Sequence, residues 1–200
     1  MGRRSSHTAE ELRELILEAS TSLISEGGLS SLSAREVARR IGYSPGTLYN
    51  VFENLDDLVL TVEGRLLDGL AAELDRVPAT GSPEEQARAL GRAYITYTSA
   101  KPKLWNLLFE HHLPPGREVP TWYQQKIDGI MQRVEAAVAP LMPDSKPEVV
   151  KRTAQVLWAS VHGITSLATA DKLSIAKSEG AGPLVDNLIT AYLAGLKQVT

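Results

Sequence analysis

Gly42 is the residue that most constrains this chain. It separates Ser33-Ala-Arg-Glu-Val-Ala-Arg-Arg-Ile41 from Tyr43-Ser-Pro-Gly-Thr-Leu-Tyr-Asn-Val-Phe52. Glycine takes left-handed backbone without steric cost, so it ends one helix and lets another begin two residues later. Ser33 and Glu36 have capping-box spacing, which starts the first helix. Val37, Ala38 and Ile41 then share one face, and Ala38 is small enough for a neighbouring helix to come close. Ser44 offers an N-cap and Pro45 a first-turn proline, which together open a second helix. Leu48, Val51 and Phe52 turn toward a core, leaving Thr47, Tyr49 and Asn50 outside with Gly46 and the helix N-terminus. This is the form of a helix-turn-helix, whose second helix enters the major groove of DNA. Helix pairs of this length also serve as plain connectors. The two caps and an outer face free of large aliphatic side chains favour the DNA reading.

The run from Thr8 to about Leu60 resembles the DNA-binding domain of the TetR family of transcriptional regulators. Ile16 through Ala19, Val37-Ala38, Ile41-Gly42, Ser44 through Tyr49, Phe52 and Asp57-Leu58 carry the resemblance. Later in the chain, Leu157-Trp-Ala-Ser-Val-His-Gly163 is similar to the Trp-x3-His-Gly signature of one class of effector domains in that family. The resemblance implies an all-α fold of about nine helices. Residues 1–53 would form a three-helix, helix-turn-helix DNA-binding domain, and residues 54–200 a helical domain for effector binding and dimerisation. One departure stands out: family members often carry a lysine near a phosphate at the start of the fourth helix, where this chain has Leu55. That contact should be absent, or replaced by the helix N-terminus, which can itself face an anion.

A formal net charge of −3 does not argue against nucleic acid, because phosphate contacts depend on where the cations sit. Arg3 and Arg4 lie on an N-terminal arm and Arg35 on the first helix of the motif, all placed for phosphates. Arg39 and Arg40 stay undecided between phosphate contact and ordinary solvated charge, and Arg13 reads as solvated. With Ser33, Tyr43, Ser44, Pro45, Gly46, Thr47, Tyr49 and Asn50, the three arginines complete the candidate DNA-contacting set. An asparagine at position 50 can read adenine bidentately if it reaches a base edge.

The remaining sequence is helical by its caps and prolines, and no strand alternation is visible. Thr8 and Glu11 make a second capping box, and Ser82-Pro83-Glu84-Glu85 restarts the chain after a Pro/Gly-rich break. The last two long helices are apolar or small over more than one face, whereas a helix in a monomer needs a single buried stripe. Val156, Ser160, Gly163, Ile164 and Leu167, with Leu188, Tyr192 and Leu196, therefore read as a two-fold helical interface between copies. The alternative is one broad face packed within its own domain.

Aromatic side chains concentrate in the middle of the chain: Tyr94, Tyr97, Trp105, Phe109, Trp122 and Tyr123, with Trp158 and His162 one turn apart further on. Aromatics at helical spacing usually belong to a core, and Trp105 and Phe109 fit that description. The polar ends of Tyr, Trp and His need partners, so several in one region can also line a ligand pocket. With Met131, these residues are the candidate effector pocket, which the resemblance sets near the Trp-His-Gly helix. His162 reads equally as a satisfied core histidine.

Nothing in the chain points to catalysis. His111 and His112 are adjacent, so on a helix they diverge by about 100 degrees and do not share a metal. No zinc-ligand spacing, phosphate loop or nucleophile elbow accompanies them. With no cysteine there is no disulfide or thiolate chemistry. No stretch approaches the roughly 20 apolar residues that span a bilayer. The expectation is a cytoplasmic regulator without a metal or cofactor. It would be a homodimer on a double-stranded operator, released by a small molecule, with repression and activation both open. A helical small-molecule-binding or interaction protein that does not bind DNA is the alternative.

Overall fold

A computed structural model describes residues 7–175 and 180–199, with side chains described to Leu196. The described residues form nine α-helices and three 3-10 turns and contain no strand. The helices are α1 (Ala9–Gly27), α2 (Ala34–Ile41), α3 (Leu55–Asp75), α4 (Pro83–Ala100), α5 (Pro102–Glu110), α6 (Thr121–Val138), α7 (Pro147–Thr169), α8 (Lys172–Ile175) and α9 (Ala181–Val199). They group into two compact units. One comprises residues 1–66 and 101–123, the other residues 67–100 and 124–200, so the division falls within α3 and α6.

The cap chemistry explains where helices begin. Thr8 and Glu11 close a full capping box, with Glu11 N–H donating to Thr8 Oγ1 at 3.2 Å and Thr8 N–H to Glu11 Oε2 at 2.7 Å. Ser82 and Glu85 repeat it ahead of α4. Ser33 caps α2 by accepting from Glu36 N–H at 3.2 Å, but the Glu36 carboxylate turns outward to the guanidinium of Arg39 instead of completing the box. Gly42 has φ 75° and ψ 28°, the left-handed conformation that ends α2.

In the first unit, Ile16, Leu17 and Ile24 of α1 meet Val37 and Ala38 of α2, Leu48 and Phe52 after it, Leu58 and Val62 of α3, and Leu104 and Leu107 of α5. Burying a side chain of this size contributes about 1.5–3 kcal/mol, so this cluster is what holds the helix-turn-helix in place. In the second unit α9 packs on α4 and α7. Val185, Ile189 and Leu193 form its buried stripe. Gly91 lets α4 and α9 approach: a Cβ there would sit 2.8 Å from Ile189 Cδ1.

The structure changes one local expectation. The segment opened by Ser44 is not an α-helix but a 3-10 helix over Pro45–Asn50, and Ser44 makes no side-chain cap to it. Thr47 N–H donates to Ser44 C=O and Val51 N–H to Leu48 C=O, both at 3.0 Å. Six residues that include a proline and a glycine are too few to sustain α-helical propagation, and the tighter i→i+3 pattern takes over. At the other end of the chain, α9 starts at Ala181, ahead of Pro183, which sits in its first turn where its missing N–H costs nothing.

Candidate DNA interface and effector cavity

The face built on α2 and the 3-10 helix is open. Ser33, Arg35, Ser44, Pro45, Gly46, Tyr49 and Asn50 are exposed, with Tyr43 and Thr47 half-buried. Tyr49 leaves 54% of its surface to solvent while Leu48, next to it, is anchored in the core at 2%. That alternation is what a recognition segment needs: an apolar root and a polar, accessible tip. Tyr43 is held from the other side by His7, whose Nδ1 lies 2.6 Å from the tyrosine hydroxyl. Arg3 and Arg4 lie outside the described residues.

The cations of this face are not equivalent. Arg39 is forked onto Glu36, and Arg40 reaches across to Glu26 Oε1 at 2.8 Å and Ser22 Oγ at 3.0 Å. The Arg40 guanidinium, first, and the Ser22 hydroxyl hold the Glu26 carboxyl at about 2. Both arginines are thus tied to carboxylates of their own chain. Arg35 is exposed and makes no ion pair among the described residues. Arg13 is not a plain solvated charge, because its guanidinium lies 4.5 Å from the centroid of the Phe52 ring.

The start of α3 is capped by side chains of its own first turn. Asn54 Oδ1 accepts from Asp57 N–H at 3.0 Å, and Asp57 Oδ2 accepts from Glu53 N–H at 3.1 Å. With Asp56 and Asp57 in its first turn, this helix N-terminus already faces carboxylates.

Beneath this turn lies a buried polar cluster that sequence reasoning missed. Glu63 of α3 is 2% exposed, and its carboxylate lies 3.1 Å from His111 Nδ1. The opposite ring nitrogen of His111 is 3.3 Å from Asp56 Oδ1. Tyr123 packs on the same carboxylate; burial first, and then Glu63, keep its hydroxyl protonated. Hydrogen bonding to Glu63 raises the His111 pKa against the opposing effect of burial. The only signal in the sequence was a glutamate on the apolar face of α3.

In the second unit, a cavity of about 60 Å3 opens among Leu74 of α3, Leu90, Gly91 and Tyr94 of α4, Ile130 and Val134 of α6, Leu157 and Trp158 of α7, and Ile189 of α9. Two of the nine candidate pocket residues, Tyr94 and Trp158, line it. His162 stacks on Trp158 with the rings 12° apart, and its Nδ1 lies 2.9 Å from the Tyr94 hydroxyl. Burial lowers the His162 pKa. Tyr97 and Met131 belong to the same unit but not to the lining, Tyr97 filling the space over Gly69. Trp105, Phe109, Trp122 and Tyr123 belong to the first unit. There Trp105 is buried and tilted against Phe109 at 6.2 Å, while Phe109 and Trp122 are 44% and 39% exposed. Most of the lining is aliphatic, and aliphatic residues at helical spacing look the same in a sequence whether they fill a core or border a void.

A second face of α7 stays uncovered in the single chain. Val156 and Leu167 are exposed large apolar residues, Gly163 is exposed between them, and Ser160 turns its hydroxyl onto Val156 C=O at 2.8 Å. Ile164 of α7 and Leu188, Tyr192 and Leu196 of α9 are half-buried. No described helix is long and apolar enough to cross a membrane, and no metal-ligating cluster occurs among the described residues.

Comparison with known proteins agrees with this geometry. Residues 16–62 match the family model for bacterial regulatory proteins of the tetR family, and residues 87–192 match a tetracyclin repressor-like C-terminal domain. An uncharacterized HTH-type transcriptional regulator of Mycobacterium tuberculosis is 26% identical over 155 residues, covering 78% of this chain and 69% of the relative. The HTH-type transcriptional repressor KstR of Mycolicibacterium smegmatis is 32% identical over 81 residues, 40% of either chain. A solved protein of unknown function from Rhodococcus sp. RHA1 shares the fold with a TM-score of 0.78 at 23% identity, over 97% of this chain and 98% of its own. A tetR-family transcriptional regulator from Streptomyces coelicolor shares it with a TM-score of 0.70 at 16% identity, over 98% and 83%.

Proposed function

This chain belongs to the TetR family of bacterial transcriptional regulators, which are not enzymes, and we propose that it is a cytoplasmic repressor that holds an inverted-repeat operator as a homodimer and releases it when a small molecule binds. The observation that carries this reading is the exposed polar surface from Ser33 to Asn50 set on an apolar root. Residues 1–53 hold the DNA. Residues 54–200 take the effector and the second copy, with the Trp158-Ala-Ser-Val-His162-Gly163 run assigning the chain to the Trp-x3-His-Gly class.

Two copies of the segment opened at Ser44 reach successive major grooves about 34–36 Å apart. Arg3, Arg4 and Arg35 bind phosphates, Ser33, Tyr43, Ser44 and Thr47 support register, and Asn50 reads a base. Pro45 and Gly46 present the backbone closely. The uncovered side of α7, with Leu188, Tyr192 and Leu196 of α9, meets its symmetry mate in a four-helix contact. The effector enters the cavity bordered by Tyr94 and Trp158, with His162 behind them. It releases the operator by no more than its differential affinity for the two states.

The test is selection of bound fragments from sheared genomic DNA at two salt concentrations. An inverted repeat whose affinity falls steeply with salt is the expected result. Recovery of nothing above background at either salt would favour a helical binding protein without DNA affinity. The carboxylate-capped start of α3 at Asp56 and Asp57 is the observation on the side of that second reading.

A further inference from the structure

We propose that the effector is a small, uncharged and largely apolar molecule, an assignment that rests on reading this chain as an effector-released regulator. The cavity border carries no Asp, Glu, Lys or Arg, and Tyr94 supplies its one hydroxyl. That hydroxyl is engaged with His162 Nδ1 at 2.9 Å. The buried hydroxyls one turn away are also committed, Thr98 to Tyr94 C=O at 2.9 Å and Thr165 to Val161 C=O at 2.8 Å. An ionised ligand would leave water for a site with no counter-charge, where the Trp158 indole N–H is the one polar side-chain group besides the Tyr94 hydroxyl, a transfer that costs several kcal/mol.

Size adds a second restriction. A cavity of about 60 Å3, less than half the roughly 150 Å3 that accepts benzene, has room for about three or four heavy atoms. Its volume exists because Ala87, Gly91 and Ala137 stand at lining positions where larger side chains would close it. Walls lined this way hold water weakly and accept apolar guests. A guest restores the dispersion contacts that Leu157, Ile130 and Trp158 lack on that side.

The experiment uses the full chain and three size-matched probes at pH 7: 1-propanol, acetate and propylammonium. The thermal midpoint and tryptophan fluorescence report binding, and release of the selected operator fragment is followed in parallel. The expected result is a saturable upward shift with 1-propanol and none with either ion at tenfold higher concentration. Ala137→Leu should abolish the shift, and Ala87→Leu serves as the second filling variant if the first does not fold. Binding of either ion as tightly as 1-propanol overturns the proposal. So does the absence of any shift, or a shift that survives filling of the cavity. Saturable propanol binding in a protein that retains no operator would leave the ligand class standing while the regulator reading fails. Operator release by a charged compound alone would do the reverse.

Discussion

At the scale of single residues, His111 shows how much chemistry a helix end can gather. Its ring bridges Glu63 and Asp56 of α3, with Tyr123 also engaging Glu63 and Arg117 Nη1 3.7 Å from Asp56. The folded state favours the imidazolium, so its pKa is raised. A raised histidine contributes stability that is fully present below the unfolded value, about 6.5, and is lost as pH rises through the folded value. Chemical denaturation across that window should show stability falling with pH, and His111→Gln should flatten the slope; an unchanged slope would mean that other groups set it. On the DNA face, Tyr49→Ala should weaken binding to all sequences by about 1 kcal/mol. Asn50→Ala should cost about 1–3 kcal/mol of discrimination at one base position, read by competition between operator variants. Uniform loss from both would remove Asn50 as a reader. The exposed residues of this face were legible in the sequence because caps and apolar spacing fix which side of a short helix is outward. The His111 cluster was not, since its members lie 48 and 55 positions apart.

At the scale of elements, Gly42 and the 3-10 helix after it teach opposite lessons. The left-handed backbone at Gly42 is a local steric matter, and the sequence predicts it. Gly42→Ala keeps that φ only with strain, so it should destabilise by about 1 kcal/mol. Because the turn positions Ser44 to Asn50, operator affinity should fall further than global stability does, measured by binding at a temperature where the variant is fully folded. The choice of 3-10 over α for Pro45–Asn50 was not legible. Both forms bury Leu48 and expose Tyr49, so periodicity over six residues does not separate them. Among the cations, Arg39 and Arg40 look alike as a dipeptide, yet one pairs with Glu36 on the same helix and the other with Glu26 on α1.

At the scale of the whole molecule, the proposed function requires a second copy. The double variant Val156→Glu with Leu167→Glu places charge on the uncovered face of α7 while leaving the buried Leu157 and Val161 untouched. Sedimentation should show a monomer, and affinity for a two-half-site operator should drop toward that of a single half-site; a dimer that persists would place the interface elsewhere. The sequence by itself determined the all-helical fold, the helix-turn-helix and its exposed face, because caps, a left-handed glycine and 3.6-residue spacing act within a few residues. It also marked α7 and α9 as helices with more apolar surface than one stripe needs. Only the tertiary structure decided which aromatic residues border the cavity, that its wall is mainly aliphatic, and that Glu63, His111 and Tyr123 meet. These depend on packing between segments distant in the chain, where a void, a filled core and a buried charge all share one helical pattern.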